Sequence, residues 1–375
     1  MKEIFSLKRK WILLLIPVSL VIIFICKLSP FVAEYIFARG IYRVLAIIIG
    51  CITRWFPFSV AELCLYLLPI LAIYILVRFV CNILKAKGRR IVILVKGILN
   101  LLCVVSVGIF AFVLLCGTNY YRYRFETYLD YKVEEYTKDD LYRLCDYLVE
   151  KVNEARENVQ LDKDGHMKLS YEDTDEFLDV AGEVMHDFAK DYPALRYSTG
   201  EVKSVLAARL MSYTNTVGIY IPFTMEANVN LDPVSYNHPA DAVHELAHLR
   251  GIMLEDEANY IAYLACVNSD EPDFVYSGYM LAYIYASNQL YNEDISLHEK
   301  VNKKLSDGVR KDLIANSQYW KQFETPTGKK ISEASNKVNN TYLNLNGQEE
   351  GTKSYGMIVD LLIAEFKEKE NENNQ

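Results

Sequence analysis

Histidine is scarce in this chain, with 6 among 375 residues, and so is tryptophan, with 3. No Cys-x-x-Cys occurs, which excludes a cysteine-based zinc site of the ribbon type. No small-x-small cleavage site follows the first apolar run, so residues 1–26 do not read as a cleaved signal peptide. Phe24 and Ile25 are too bulky for lipoprotein processing at Cys26. Internal repeats and low-complexity linkers are lacking as well. Acidic residues are nearly missing from the start: residues 1–118 hold 3 Asp+Glu against 14 Lys+Arg. The remainder holds 45 Asp+Glu against 26 Lys+Arg. A polar part so acidic repels phosphate and argues against nucleic acid as a partner.

What the first third has is apolar length. Residues 11–26 are free of charge, 56–84 are broken only by Glu62 and Arg78, and 91–116 only by Lys96. Each reaches or nearly reaches the roughly 20 residues that cross a hydrocarbon core of about 30 Å. Phe31–Arg54 is apolar but carries Glu34, Arg39, Arg43 and Arg54, so it reads as an amphipathic or re-entrant helix, with a fourth span as the lesser option. Residues 1–117 are therefore expected to anchor the chain in a lipid bilayer by three spans. Lys2, Lys8, Arg9 and Lys10, and again Lys85, Lys87, Arg89 and Arg90, mark the cytoplasmic side. Three spans from that start place the polar part outside the cytoplasm, at a cell membrane. Six of the eight cysteines lie in the apolar third as small hydrophobes; Cys145 and Cys266 are left, and could pair.

Residues 118–367 read as one mainly helical domain with a small edge sheet (mostly α, zincin-like α+β), and 368–375 as a disordered polar tail. Thr137 and Asp140 form a capping box ahead of Leu141, Leu144, Leu148 and Val152. Residues 158–170 look like a loop and 172–191 like an amphipathic helix. Residues 200–211 are helix or strand. Thr216–Asn230 is a strand or hairpin, at an edge because of Pro222. Helices are expected at about 239–250, 255–268, 274–292, 297–317, 333–345 and 353–367.

The chemistry gathers at His244-Glu245-Leu246-Ala247-His248. Pro239 suits the first turn of a helix and Gly251 its end. Histidines at i and i+4 face the same way and can share one Zn²⁺. Glu245 lies beside them as a general base, then acid, rather than a ligand. Zinc brings the pKa of a bound water down to roughly 7, which makes hydroxide available at neutral pH. A third ligand is needed. Glu255, Ala258, Asn259 and Ala262 share one helical face. The small residues would let that helix pack closely on the first, and Asn259 could hydrogen-bond a ligand's outer atom. Glu255 is favoured, with Glu257, about 200° round an ideal helix, as the alternate.

These residues resemble the zinc metallopeptidases of the gluzincin type, which combine HExxH with a downstream Glu-x-x-x-Asp; Asn259 stands here in place of the Asp. The stretch HELAHLRGIMLEDEANYIAYLAC (244–266), with three N-terminal spans, YSGYMLA (276–282) and NTYLNLNGQEEGTKSYGMIVDLL (340–362), is similar to bacterial membrane proteins known as a domain of unknown function. The likeness covers nearly the whole chain. It implies a zinc peptidase and no particular substrate; the likeness to gluzincins implies residues 217–230 as the edge strand that holds substrate backbone. Proteins or peptides at the outer membrane surface are the expected substrates. The alternatives are a membrane sensor or assembly protein whose zinc site does not turn over, and a hydrolase of cell-wall peptides. Glu226 and Asn228 are weaker candidates for substrate contact, and Tyr355 for an oxyanion donor. His238 reads as a helix-start residue, and His166, His186 and His298 as surface residues.

Overall fold

The fold, a computed structural model, describes residues 8–196, 200–346 and 358–373. It is 72% helical with two small sheets, so it is mostly α.

A 3-10 stretch, Lys8–Leu14, leads into helix α1 (Leu15–Leu28). A π-helical run, Val32–Tyr42, continues into α2 (Arg43–Thr53). Helices α3 (Val60–Lys85) and α4 (Arg90–Leu115) form an antiparallel hairpin, in which Phe79 lies against Gly97. Four stretches are long and apolar enough to cross a membrane, where three were expected: Lys8–Leu28, Val32–Thr53, Val60–Lys85 and Arg90–Leu115. The second differs from the others in burial, with a third of its most apolar window covered. It meets the polar domain along its whole length. Arg122 donates to Glu34 at 2.8 Å, Tyr42 donates to the Leu249 carbonyl at 2.9 Å, Arg43 to the Pro193 carbonyl at 3.1 Å, and Lys203 to the Thr53 carbonyl at 2.7 Å. The opposite face, with Val44, Ile48 and Ile52, stays exposed.

Helix α3 is joined to the domain by reciprocal capping. The Val60 and Ala61 N–H groups donate to Glu226 at 3.0 and 2.7 Å, and Glu62 accepts from the Leu206 and Ala207 N–H groups at 2.8 Å each. The first-turn N–H groups of α3 have no partner within that helix, so Glu226 satisfies them, and Glu62 in return satisfies the N–H groups of the turn at residues 206–207. Lys203 neutralises Glu226 at 2.8 Å, and both are buried.

The domain begins with 3-10 turns at Gly117–Tyr121 and Phe125–Tyr128 and continues into α5 (Lys138–Arg156), where both halves of the Thr137–Asp140 box form. The expected loop 158–170 contains a minimal hairpin, β1 (Gln160–Leu161) with β2 (Met167–Lys168). Helix α6 (Thr174–Phe188) follows. Residues 200–211 prove to be both candidates in turn, β3 (Val202–Ser204) and then α7 (Ala208–Tyr213). Thr216–Asn230 is a hairpin, β4 (Gly218–Ile221) and β5 (Glu226–Val229), in a sheet of order β3-β5-β4. Only β4 is at an edge on this side. β5 is central, parallel to β3 and antiparallel to β4.

The His244 helix is α8 (His238–Leu249). Five further helices were expected downstream of it; the described residues form six, α9 (Glu255–Val267), α10 (Pro272–Glu293), α11 (Ile295–Asn302), α12 (Asp307–Lys321), α13 (Pro326–Leu345) and α14 (Ile358–Asn373). The expected 297–317 helix is split because Ser306 starts a new one, accepting from the Val309 N–H. The segment expected to be a disordered tail is helical through Asn373, because Lys367 and Glu370 pair with Asp140 and Arg143 of α5. Cys145 and Cys266 are both buried and unpaired as thiols.

Helix α8 is the hub: α9, α6, α10, β4 and β5 pack around it. Ala247 on α8 and Ala258 and Ala262 on α9 are fully buried, which brings the two helices close. The core does not stop at residue 118: Tyr42, Ala46 and Leu115 belong to the same buried cluster as Leu246, Ile261 and Phe274.

Candidate metal centre

Helix α8 opens with Pro239 in its first turn, and Ser277 on α10 accepts from the Ala240 N–H at 3.0 Å. It ends at Gly251, where φ is +85°, a conformation costly for a residue with a Cβ. A Cβ there would also meet Tyr42, Arg122 and Asn119 at 3.1–3.2 Å. The sharp exit returns the chain within four residues to α9, which presents Glu255 to the α8 histidines.

His244, His248 and Glu255 offer ligand atoms that all lie within 4.8 Å of one another. His244 Nε2 is 3.3 Å and His248 Nε2 is 3.7 Å from the Glu255 carboxylate. A tetrahedral ion with bonds of about 2.0–2.1 Å holds its ligand atoms about 3.4 Å apart; the two His–Glu separations are close to that, and the donor set suits zinc in its chemistry. His248 Nδ1 donates to the Ile252 carbonyl at 2.6 Å, which fixes the ring with Nε2 as the nitrogen turned toward the cluster. Asn259 adjoins the His244 ring and donates to the Tyr285 hydroxyl at 3.2 Å. Glu257 is turned away. It accepts from the Phe125 N–H at 3.0 Å and pairs with Arg124 at 3.0 Å, and Arg124 also pairs with Asp256.

Electrostatics follow the same grouping. Burial works to raise the Glu255 pKa, but the His248 charge and hydrogen bonds from both histidines outweigh it and hold the carboxylate well below its usual range. Burial works against the His248 cation, and Glu255 overrides it to push the ring up to about 9. Burial lowers His244. Glu245, 4% exposed, is pushed up to about 8 by burial, and its Oε2 has no hydrogen-bond partner among the described residues.

Glu245 lies against the edge strand. A Cβ on Gly218 would stand 2.4 Å from its Oε1, so only glycine admits this approach. The Asn230 N–H donates to the Val217 carbonyl at 2.8 Å, and antiparallel alternation then turns the backbone groups of Gly218 and Tyr220 to the free edge.

The structure differs from the sequence reading on the weaker candidates. Glu226 and Asn228 do not reach the cleft: they lie buried on the central strand, where Glu226 caps α3 and Asn228 donates to the Ile219 carbonyl at 3.1 Å. His238 starts α8, its Nε2 bonded to the Pro233 carbonyl at 2.9 Å. His166, His186 and His298 are outside the cluster. Tyr355 lies outside the described residues.

Four neighbours escaped the sequence reading. Gly218 carried a signal, a glycine inside a strand pattern. Asp241, one turn before His244, has an Oδ2 without a partner among the described residues and is pushed up by burial to about 7. Tyr120 donates to the Tyr342 hydroxyl at 3.0 Å; burial foremost, with the Glu255 charge adding to it, raises both phenols. Nothing distinguishes those two in a chain with 28 tyrosines.

The family described as "Protein of unknown function (DUF3810)" matches residues 37–363, and the chain belongs to that family. Comparison with curated proteins gives no match, and comparison with solved structures gives none.

Proposed function

We propose that the protein is a membrane-anchored zinc hydrolase that cleaves peptide bonds. The observation that carries this reading is the convergence of His244, His248 and Glu255 within 4.8 Å, with Glu245, whose Oε2 has no partner among the described residues, packed against the edge strand β4. Zinc, when bound, would polarise the scissile carbonyl and lower the pKa of water. Glu245 would take a proton from the attacking water and return it to the leaving amine. The N–H and C=O groups of Gly218 and Tyr220 would pair with an extended substrate. Tyr120 and Tyr342 would supply neutral O–H donors beside Glu255.

Orientation enters the same proposal. Both ends of the Val32–Thr53 stretch meet the polar domain, which supports three crossings with this stretch lying along the membrane surface. Arg39, Arg43 and Arg54, which the positive-inside rule would otherwise count, are engaged by Glu34, the Pro193 carbonyl and Glu201. With the Lys8–Lys10 and Lys85–Arg90 clusters cytoplasmic, the domain faces outward.

A second reading, a sensor whose metal site does not turn over, draws on the Tyr42 and Arg122 contacts. Tyr42 ties an apolar stretch directly to the Leu249 carbonyl, and Arg122, held by Glu34 of that stretch, reaches the Gly251 carbonyl; both carbonyls lie between the second histidine and Glu255. Glu245→Gln in the full chain separates the two. Hydrolysis predicts full zinc content by elemental mass spectrometry, and turnover of a peptide library reduced by about 10²–10⁴-fold. Zinc lost in this variant, or cleavage unchanged, refutes the assignment of Glu245. Wild type that holds zinc and cleaves nothing favours the sensor.

A further inference from the structure

The helices give the height of the site above a bilayer. A hydrocarbon core of about 30 Å takes about 20 helical residues. Counted up α4 from Arg90, it ends near residue 110; counted from Lys96, it ends near residue 116. Leu115 therefore lies from just inside the hydrocarbon edge to about 8 Å beyond it, within the headgroup layer. From the Phe79–Gly97 contact, eighteen residues along each antiparallel helix lead to Ala61 and Leu115, so the N-terminus of α3 is at the same height.

The domain is bonded to the helices at this level. Tyr220 of the edge strand donates to the Leu115 carbonyl at 3.4 Å and shares a hydrogen bond of 3.1 Å with Tyr42. Glu62 holds the Leu206 N–H, and Glu226, just past the β4–β5 turn, holds Ala61. Around these contacts the surface is apolar: Leu206 is 85% exposed, Trp55 83%, Leu210 64% and Phe223 52%. Exposed large apolar residues that adjoin one another mark an interaction surface. Here they stand beside the bonds that join the domain to the ends of α2, α3 and α4, and a tryptophan among them suits the headgroup boundary.

We infer that this base of the domain, the Leu206 loop, α7, the β4–β5 turn and α2, is seated in the leaflet on the domain's side, with lipid as the occupant of its apolar surface. The free edge of β4 then lies in the headgroup layer. Resting on the hydrolytic reading, the substrate class is a polypeptide segment that emerges from the bilayer or lies on it, rather than a peptide free in solution.

The test uses the full chain in phosphatidylcholine vesicles whose acyl chains carry bromine, a contact quencher of tryptophan. In a Trp11→Phe, Trp55→Phe, Trp320→Phe background, one tryptophan is placed by Leu206→Trp, Leu210→Trp or Phe223→Trp. The reference is Leu161→Trp. Leu161 is 52% exposed on β1, whose partner β2 packs near the far end of α8 from Tyr42. The three basal positions should lose most of their emission to brominated lipid and resist acrylamide, and position 161 should do the reverse. Basal positions that behave like 161, in variants with wild-type melting temperature, overturn the placement; three positions guard against one misfolded variant. This readout needs neither zinc nor substrate. With the placement established, a membrane-anchored peptide cut no faster than the same sequence in solution overturns the substrate class. Cleavage of neither overturns the hydrolytic reading alone.

Discussion

Glu255 and Glu257 are two residues apart, and the fold gives them opposite duties that a pair of substitutions separates. Glu255 faces both histidines at 3.3 and 3.7 Å, whereas Glu257 accepts the Phe125 N–H and pairs with Arg124. Zinc that binds only the folded chain stabilises it by about 2.7 kcal/mol at a hundred times Kd. For a domain of this size that is about 5–10 °C in melting temperature. Glu255→Ala removes one of three ligands and should abolish that shift. Glu257→Ala should keep the shift while the zinc-free protein loses about 1–3 kcal/mol, because the buried Phe125 N–H is left without an acceptor. The Arg124 pair adds little, since Arg124 is 37% exposed and keeps Asp256. The assay is thermal unfolding of the detergent-purified full chain with zinc buffered at several concentrations, beside zinc content after dialysis. A zinc shift retained in Glu255→Ala, or lost in Glu257→Ala while the zinc-free fold is unchanged, refutes the assignment.

Gly218→Val should force the Glu245 carboxylate aside and leave the three ligands in place. Zinc content should therefore hold while turnover falls by about 10²-fold, the cost of misplacing a catalytic group by about 1 Å; undiminished turnover would contradict the role given to this contact. His238 supplies a pH dependence. Burial holds its ring neutral and pushes its pKa down to about 4 from 6.5. The unfolded chain takes up a proton at higher pH than the folded one, so the stability present above pH 6.5 is lost as pH falls toward 4, by about 3 kcal/mol in all. Denaturant midpoints measured between pH 7 and pH 4 should fall less steeply in His238→Gln; an unchanged slope would place the acid sensitivity elsewhere.

Features set by local chemistry were legible in the sequence. The His244 helix shows its Pro239 start and Gly251 stop, and α5 shows its capping box. Ala258 and Ala262 announced a close helix pair, which explains why Glu255 could be favoured before its surroundings were known. Features set by distant partners were not legible. Glu226 reads as an edge-strand polar residue, and nothing local reveals that Val60 and Ala61, more than 160 positions earlier, need its oxygens. The polar end of α14 reads as disordered because its stabilising partners, Asp140 and Arg143, are on another helix. The Val32–Thr53 stretch has the composition of a span; its bonds to Arg122, Pro193 and Lys203 are tertiary.

The reciprocal capping between α3 and the sheet bears on how this molecule can be taken apart. A chain cut after α4 to release a water-soluble piece would lose Tyr42 and Ala46 from the core, leave the Lys203–Glu226 pair without the carbonyls and N–H groups that surround it, and expose Leu206 and Leu210 to water. The lipid-facing helices are thus structural components of the catalytic candidate rather than a tether. The folding unit and the hydrophilic unit have different borders. Proteolytic shedding would therefore disrupt the domain that carries the His244 cluster rather than release it intact.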